Sequence, residues 1–247
     1  MRLGEWLESN HQRSGSRVIF APDLVGPYST RVERAAELVS RLGRDLVGVK
    51  VNWHLLLTSG VVGLRPLADA CARAGLPLIA DMKLNDIAST NLEAARILFS
   101  NGFEALIANP FVGREEALGD LIDEAHRAGK GVVLLVYMSH AGAKEGYGLR
   151  VGGRPLYLRF ASDAAKWEAD AVVVSAKSPA IIRSVRRTVG REMPIMSPGV
   201  GAQGGDAAKA VSAGADYIIV GRTIFEASDP AMEVRALNAA PGRPRSL

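Results

Sequence analysis

The 247-residue sequence predicts a single-domain α/β protein, a (β/α)8 TIM barrel. Eight short apolar runs alternate with segments of helical periodicity along the chain. The runs are dominated by Val, Ile, Leu and Ala, which is typical of parallel strands buried beneath helices. Eight strand–helix units in a chain of this length favour a closed barrel, with a doubly wound open sheet as the competing fold.

The strands and helices follow from this pattern in order. The predicted strands are residues 18–23, 46–51, 76–83, 105–109, 131–137, 171–175, 194–197 and 217–220. The predicted helices are residues 31–42, 66–74, 89–102, 156–169, 180–189 and 230–239. In the first of these helices, apolar residues at 35, 38, 39 and 42 form one face that can cover the sheet.

Three segments lie outside this repeat. In residues 1–16, Leu3, Trp6 and Leu7 predict a short amphipathic helix that covers one end of a barrel formed by residues 17–240. Residues 241–247 are rich in Pro, Gly and Arg and are expected to form a disordered tail. Residues 141–155 form a glycine-rich connection that is long enough to be a functional lid or a disordered loop.

Composition limits the partners. The formal net charge is +4 with both signs dispersed, which argues against nucleic acid and suits a small anionic substrate. No apolar stretch approaches the roughly 18 residues of a membrane span, so no membrane partner is expected. The single cysteine, Cys71, lies in an apolar helical pattern and is expected to be buried. One thiol excludes an internal disulfide and fits a reducing compartment, so we expect a cytoplasmic protein.

The most informative stretch is the decapeptide 81–90, DMKLNDIAST, which follows a buried apolar run. If the strand continues through Lys83, side-chain alternation places Asp81 and Lys83 on one face, while Asp86 falls in the turn before the next helix. Two acids and a base at the end of a buried strand are costly unless they are paired or used. On this stretch alone, a structural salt-bridge cluster and a catalytic site remain equally open.

Polar residues also end other predicted strands. Asp23 follows the first strand, Lys50 lies near the end of the second, and Ser139 and His140 follow the fifth. Functional residues of TIM barrels lie at the carboxyl ends of the strands. These side chains are therefore expected to converge with Asp81 over one barrel mouth.

A second motif, SPGVGAQGGD at 197–206, follows the seventh strand and precedes a helix. Its glycines allow backbone amides to approach an anion, and the helix N-terminus favours negative charge. Strand eight ends in Gly221-Arg222, and arginine can bind phosphate through two hydrogen bonds. The loops after strands seven and eight frequently bind phosphate in barrels. The alternative is that the glycines only serve a tight turn.

The residue types restrict the chemistry. No His/Cys cluster has the spacing of a metal site, and Lys50 and Lys83 would repel a cation from the interleaved acids. We therefore expect an array without metal or other cofactor. Lys83, between carboxylates, is expected to stay protonated and to act as a proton donor rather than as a Schiff-base nucleophile.

Taken together, the motifs resemble those of the orotidine 5′-phosphate decarboxylase family, most closely its compact microbial branch. The family's D-x-K-x-x-D-I-x-x-T motif occurs as Asp81, Lys83, Asp86, Ile87 and Thr90. Its strand-five signature occurs at 138–142, its phosphate loop at 197–206 and its strand-eight motif at 220–222. The resemblance covers residues 17–235 in order.

The resemblance implies a carboxy-lyase that converts orotidine 5′-monophosphate (OMP) to uridine 5′-monophosphate (UMP), the last step of de novo pyrimidine synthesis. It implies a homodimer in which Asp86, Ile87 and Thr90 act across the interface, and a C6 carbanion that Lys83 protonates. The implied catalytic residues are Lys50, Asp81, Lys83 and Asp86. The implied substrate-binding residues are Asp23 and Lys50 for the ribose, Ser139 and Pro198 for the base, Gln203, Gly221 and Arg222 for the phosphate, and Ile87 and Thr90.

Two alternatives remain at this level. Related Mg²⁺-dependent phosphosugar lyases, such as ketogulonate-phosphate decarboxylase and hexulose-phosphate synthase, share the barrel and a D-x-K-x-x-D stretch. Their strand-two acid is replaced here by Lys50, which argues against them. A catalytically silent nucleotide-binding barrel would keep the phosphate residues but would not need Lys83. The sequence assigns no role to Asn109 at the end of strand four.

Overall fold

A computed structural model of the chain describes residues 1–23 and 27–239. Eight parallel strands form a closed barrel in chain order, with β8 pairing back onto β1. The strands are β1 Val18–Phe20, β2 Gly48–Asn52, β3 Leu78–Leu84, β4 Ala105–Ala108, β5 Gly131–Tyr137, β6 Ala171–Val174, β7 Ile195–Pro198 and β8 Tyr217–Val220. The predicted barrel is confirmed, and the open-sheet alternative is wrong.

Helices cover the outside of the barrel. They are α1 Leu3–Ser14, α2 Arg31–Leu42, α3 Trp53–Gly63, α4 Arg65–Ala74, α5 Ala88–Ser100, α6 Gly119–Arg127, α7 Ala143–Gly146, α8 Leu156–Lys166, α9 Pro179–Val189, α10 Ala207–Ala213, α11 Arg222–Phe225 and α12 Pro230–Asn238. The predicted helices are present with ends shifted by up to three residues. The predicted tail, 241–247, lies outside the described residues.

Strand side chains alternate between two apolar layers. Ile79, Ile107 and Val133 belong to the barrel interior, whereas Ala80 and Leu106 face the helices. This alternation turns every second residue of a strand toward the barrel axis. Residues just beyond the apolar interior layer, at the carboxyl ends, are therefore aimed into the mouth.

Helix α1 closes the opposite end, as predicted. Leu3 and Leu7 are fully buried among the interior residues of the strands. Gly131 allows this approach, because a Cβ atom there would lie 2.8 Å from the Cβ of Leu3. Asn10 completes the seal by donating to the carbonyl oxygens of Val47 and Gly75. The carboxyl-terminal mouth is left as the open end.

The long connection after β5 is folded rather than disordered. Helix α7 is followed by a two-stranded hairpin of Arg150–Val151 and Arg154–Pro155.

Cys71 is buried as predicted, and burial raises the pKa of its thiol to about 12. No single helix within the described ranges has the length and apolar character of a membrane span. The pair α3 and α4, bent by 93°, passes that test only by combined length and composition.

Candidate active site

Three charged side chains meet at the barrel mouth. Asp81 Oδ2 accepts a hydrogen bond from Lys50 Nζ at 2.8 Å, and its Oδ1 accepts one from Lys83 Nζ at 2.6 Å. The side chain of Lys50 is 7% exposed, that of Asp81 is 12% exposed and that of Lys83 is 31% exposed. One lysine is therefore enclosed, and the other is open to the mouth.

Strand alternation places these residues. Ile79, two residues before Asp81, lies in the interior layer, whereas Met82 and Leu84 pack with the outer layer, so Asp81 and Lys83 share the inner side of β3 as expected. Lys50 follows the alternation of β2 in the same way. Two features were not expected: the pairing of β3 with β4 shifts register after residue 80, and Lys83 has a φ of +52°. Side chains rarely adopt that left-handed backbone, and it often marks functional sites.

Mutual attraction keeps the array charged despite burial. Burial favours a protonated Asp81, but Lys50 and Lys83 outweigh it and hold the pKa of Asp81 below its usual value. Burial also opposes the charge on Lys50, yet Asp81 and then Asp23 raise the pKa of Lys50 above its usual value. Asp81 and Lys50 are therefore ionised at neutral pH.

Asp23, just beyond β1, lies close enough to interact with this array. Burial raises the pKa of its carboxyl group, against the attraction of Lys50, His54 and Lys83. Its Oδ1 is buried and has no hydrogen-bond partner among the described residues. Because buried carboxylate oxygens are normally paired, this atom is placed to accept a hydrogen bond from a ligand.

The remaining residues of the 81–90 motif do not join the array within one chain. Asp86 is exposed, and its Oδ1 accepts a hydrogen bond from the backbone N–H of Ile87 at 2.8 Å. Ile87 is 61% exposed, and Thr90 is also exposed on the first turn of α5. These three side chains face outward from the chain that carries them.

The glycine-rich loop after β7 holds its shape through its own backbone. The N–H groups of Gly201 and Gly205 donate to the carbonyl oxygens of Gly205 and Gly199. Gly201 has a φ of +68°, and a Cβ atom there would overlap Thr223 Oγ1. These two amides are therefore not available to an anion, contrary to the expectation from the sequence. The two glycines allow tight packing instead.

Hydrogen-bonding groups of the sequence-predicted phosphate site lie on both sides of this loop. Neither the Gly221 nor the Arg222 amide donates to another described residue, and the Arg222 side chain is exposed. Gln203 Oε1 accepts a hydrogen bond from Ser139 Oγ at 3.1 Å, which joins the loop to the end of β5. Pro198 ends β7 and is half-buried beside the mouth. The mouth thus has a cluster of ionised side chains at β1–β3, and an arginine with two backbone amides at β7–β8.

Three rim residues were given no role in the site from the sequence. Thr223 accepts a hydrogen bond from the Ala202 amide at 3.0 Å, and His54 lies near enough to Asp23 to lower its pKa. Asn109 Nδ2 lies 3.4 Å from the hydroxyl of Tyr147 in the long connection. The only available signal was position, since each residue follows or faces the end of a barrel strand. Across residues 1–23 and 27–239, no three His, Cys, Asp or Glu side chains are grouped to hold a metal.

Comparisons with known proteins agree on one family. Residues 17–237 match the model of the "Orotidine 5'-phosphate decarboxylase / HUMPS family". An orotidine 5′-phosphate decarboxylase of Thermococcus kodakarensis is 37% identical over 222 residues, covering 90% of this chain and 95% of the relative.

Solved structures are similar over the same extent. An orotidine 5′-phosphate decarboxylase from Pyrococcus horikoshii superposes with a TM-score of 0.74 at 35% identity, covering 90% of this chain and 97% of the other. The enzyme from Methanocaldococcus jannaschii, complexed with the inhibitor BMP, gives a TM-score of 0.79 at 26% identity and covers 92% and 99%.

Proposed function

This chain belongs to the orotidine 5′-phosphate decarboxylase / HUMPS family, and on that premise we propose that it decarboxylates OMP to UMP, as the last step of pyrimidine synthesis. The observation that carries the proposal is the Asp81 carboxylate held between the ammonium groups of Lys50 and Lys83, at the same barrel mouth as Gln203 and Arg222. The substrate has an acid to lose at one end and a phosphate to bind at the other.

The reaction follows from the charges. The bond from C6 to the carboxylate breaks, CO₂ leaves, and the electron pair stays on C6. Lys83, the more exposed lysine, stabilises this carbanion and donates a proton to it, and the amine regains its proton from solvent. Asp81 lies beside the departing carboxylate and disfavours its negative charge. No metal ion or organic cofactor has a step in this scheme.

Binding groups away from C6 orient the substrate. Gln203, the Arg222 side chain and the Gly221 amide hold the phosphate, and that binding energy drives closure of the 198–206 loop. Ser139, which hydrogen-bonds to Gln203, meets the pyrimidine edge, and Pro198 packs beside the base. The buried Oδ1 of Asp23, which has no hydrogen-bond partner in the described part of the chain, and the Lys50 ammonium contact the ribose hydroxyls.

The proposal includes a homodimer with shared sites. Trp53, Ile87 and Phe111 follow three consecutive strands and are 45%, 61% and 68% exposed. Large apolar side chains that lie exposed on neighbouring connections favour burial against another protein surface. A second copy packed there would bring Asp86, Ile87 and Thr90 to the partner's mouth. The proposed location is the cytoplasm, which suits a single, buried thiol.

The direct test is to incubate the purified protein with OMP in excess EDTA and to measure the release of CO₂. Full activity is expected, whereas loss of activity that Mg²⁺ restores would favour a metal-dependent lyase of the same family. Tight UMP binding without CO₂ release would instead indicate a silent nucleotide-binding barrel. The Lys83→Ala variant should form no product while keeping its affinity for UMP. A near-normal kcat in this variant would show that Lys83 is not the proton donor.

A further inference from the structure

Asn91 is the one polar residue in the first turn of α5 that is turned inward. It is fully buried, whereas Ser89 and Thr90 beside it are exposed. Its side-chain amide donates a hydrogen bond to the backbone carbonyl oxygen of Asp86, five residues earlier in the chain. The turn that carries Asp86 is therefore tied to the helix from inside the protein.

The oxygen of the same side-chain amide is not stabilised by a hydrogen bond. Asn91 Oδ1 is buried and has no hydrogen-bond partner among the described residues. An unpaired buried carbonyl oxygen is costly, and a leucine of nearly equal volume would avoid that cost. The donor half of the side chain is thus the part that serves the protein, and its acceptor is a backbone atom of a predicted catalytic residue.

We propose that Asn91 is a positioning residue for Asp86 in the reaction. The inference rests on the proposed function, because it assigns Asn91 to the geometry of that site. The Asp86 carboxylate bonds its neighbouring amide, Ile87 N–H, at 2.8 Å, and Asn91 holds the carbonyl group of the same residue. Because both the side chain and the backbone carbonyl of Asp86 are held, the Asp86 and Ile87 side chains point outward in a fixed direction. They are thereby preorganised for a site on another chain.

A matched pair of variants separates positioning from stability. Asn91→Leu removes the bond to Asp86 and the unpaired oxygen together. Asn10→Leu changes a second buried asparagine, at the closed end of the barrel, where its amide donates to two backbone carbonyl groups. We expect kcat/KM for OMP to fall roughly 10- to 100-fold in Asn91→Leu, since small displacements of catalytic groups have effects of that size. Thermal stability should stay near that of the unmutated protein.

Asn10→Leu should show the opposite pattern, with a lower unfolding temperature and kcat/KM within about twofold of normal, because the residue seals the closed end of the barrel. Asn91→Ala is the second variant, should the leucine fail to fold. A kcat/KM near the unmutated value in a folded Asn91 variant would overturn the inference. An unmutated protein that releases no CO₂ from OMP would overturn the proposed function instead, and this inference with it.

Subunit mixing shows whether Asn91 acts through the Asp86 of its own chain. In a shared site, a Lys83→Ala chain and an Asp86→Asn chain together form one intact site, whose Asp86 comes from the Lys83→Ala chain. Asn91→Leu should impair that site when the Lys83→Ala chain carries it, and should leave it active when the Asp86→Asn chain carries it. Equal activity in the two arrangements would contradict positioning through Asp86.

Discussion

Replacing Asp81 with asparagine would remove one charge and almost no volume from the centre of the array. In the unmutated protein the carboxylate lies 2.8 Å from Lys50 Nζ and 2.6 Å from Lys83 Nζ. The variant leaves the buried Lys50 ammonium with Asp23 as its remaining carboxylate. Lys83 is open to the mouth and can be solvated by water. The cost therefore falls mainly on Lys50.

The size of the effect follows from these two environments. Removing one partner of a buried ion pair costs about 3–5 kcal/mol, whereas a pair exposed to solvent contributes about 1 kcal/mol or less. Because Asp23 still attracts Lys50, we expect a loss of about 4 kcal/mol in the free energy of unfolding. For a protein of this size that corresponds to a fall of roughly 8–16 °C in the unfolding temperature.

The pH dependence has a definite sign. The pKa of Asp81 is lowered in the folded protein, so its contribution is complete above the unfolded pKa of about 4 and is lost as the pH falls through the lower folded value. The difference in stability between Asp81→Asn and the unmutated protein should therefore be constant near neutral pH. It should shrink once the pH falls well below about 4.

Urea unfolding at pH 7 of Asp81→Asn, Lys50→Met and the double variant measures the coupling. The double variant should be more stable than Asp81→Asn alone, because it no longer buries an unpaired ammonium group. The reasoning would be refuted by a double variant no more stable than Asp81→Asn. It would also be refuted if Asp81→Asn lost less than about 1 kcal/mol.

Three further outcomes are expected. Asp23→Asn should raise unfolding stability by about 1 kcal/mol at pH 7, because burial disfavours the Asp23 carboxylate more than Lys50 attracts it, and its Oδ1 has no hydrogen-bond partner among the described residues. The pKa of Asp23 is raised, so this gain should disappear in thermal unfolding as the pH falls toward about 4; a constant gain would contradict the assignment. Gly201→Ala should weaken UMP binding at least about tenfold by calorimetry, because its Cβ would overlap the Thr223 side chain and its φ is +68°. Gly204→Ala, with open space at its Cβ and a φ of +88°, is the control, and equal losses would contradict the steric account. Arg222→Ala should weaken UMP binding roughly 10- to 100-fold and reduce its salt dependence, and an unchanged Kd would remove Arg222 from the phosphate site.

Much of the barrel could be predicted because its strands are apolar runs with no competing pattern. Residues 131–137 and 217–220 were predicted to the residue, as was helix α2 with its apolar face. Helix α3 was missed because its sequence lacks a polar face. Its Leu57 and Val62 are about three-quarters exposed, and Gly60 interrupts it with a φ of +66°. This helix exposes apolar residues, so no amphipathic pattern marks it.

The site was predicted in composition better than in geometry. The positions of Asp81 and Lys50 could be predicted because strand ends and side-chain alternation are local properties of the chain. The left-handed backbone of Lys83 and the register shift between β3 and β4 were not predicted, because no local pattern reveals either. Thr223 was missed for a similar reason, since it acts on an amide 21 residues away. Asp86 does not join the charged array of its own chain, so its proposed catalytic role requires a second copy of the chain.

The two lysines are not equivalent in the proposed reaction, and their surroundings explain the division. Asp81 must remain ionised when the substrate carboxylate binds beside it. If Asp81 took up a proton, the repulsion between the two carboxylates would disappear. Lys50 is buried, and its charge is reinforced by both Asp81 and Asp23, so it is suited to hold Asp81 in the charged form. Lys83 is more exposed and sits on a strained backbone at the rim, where it can give up a proton and recover one from water. A single lysine could not hold the charge and donate the proton in the same step, and the array accordingly contains both.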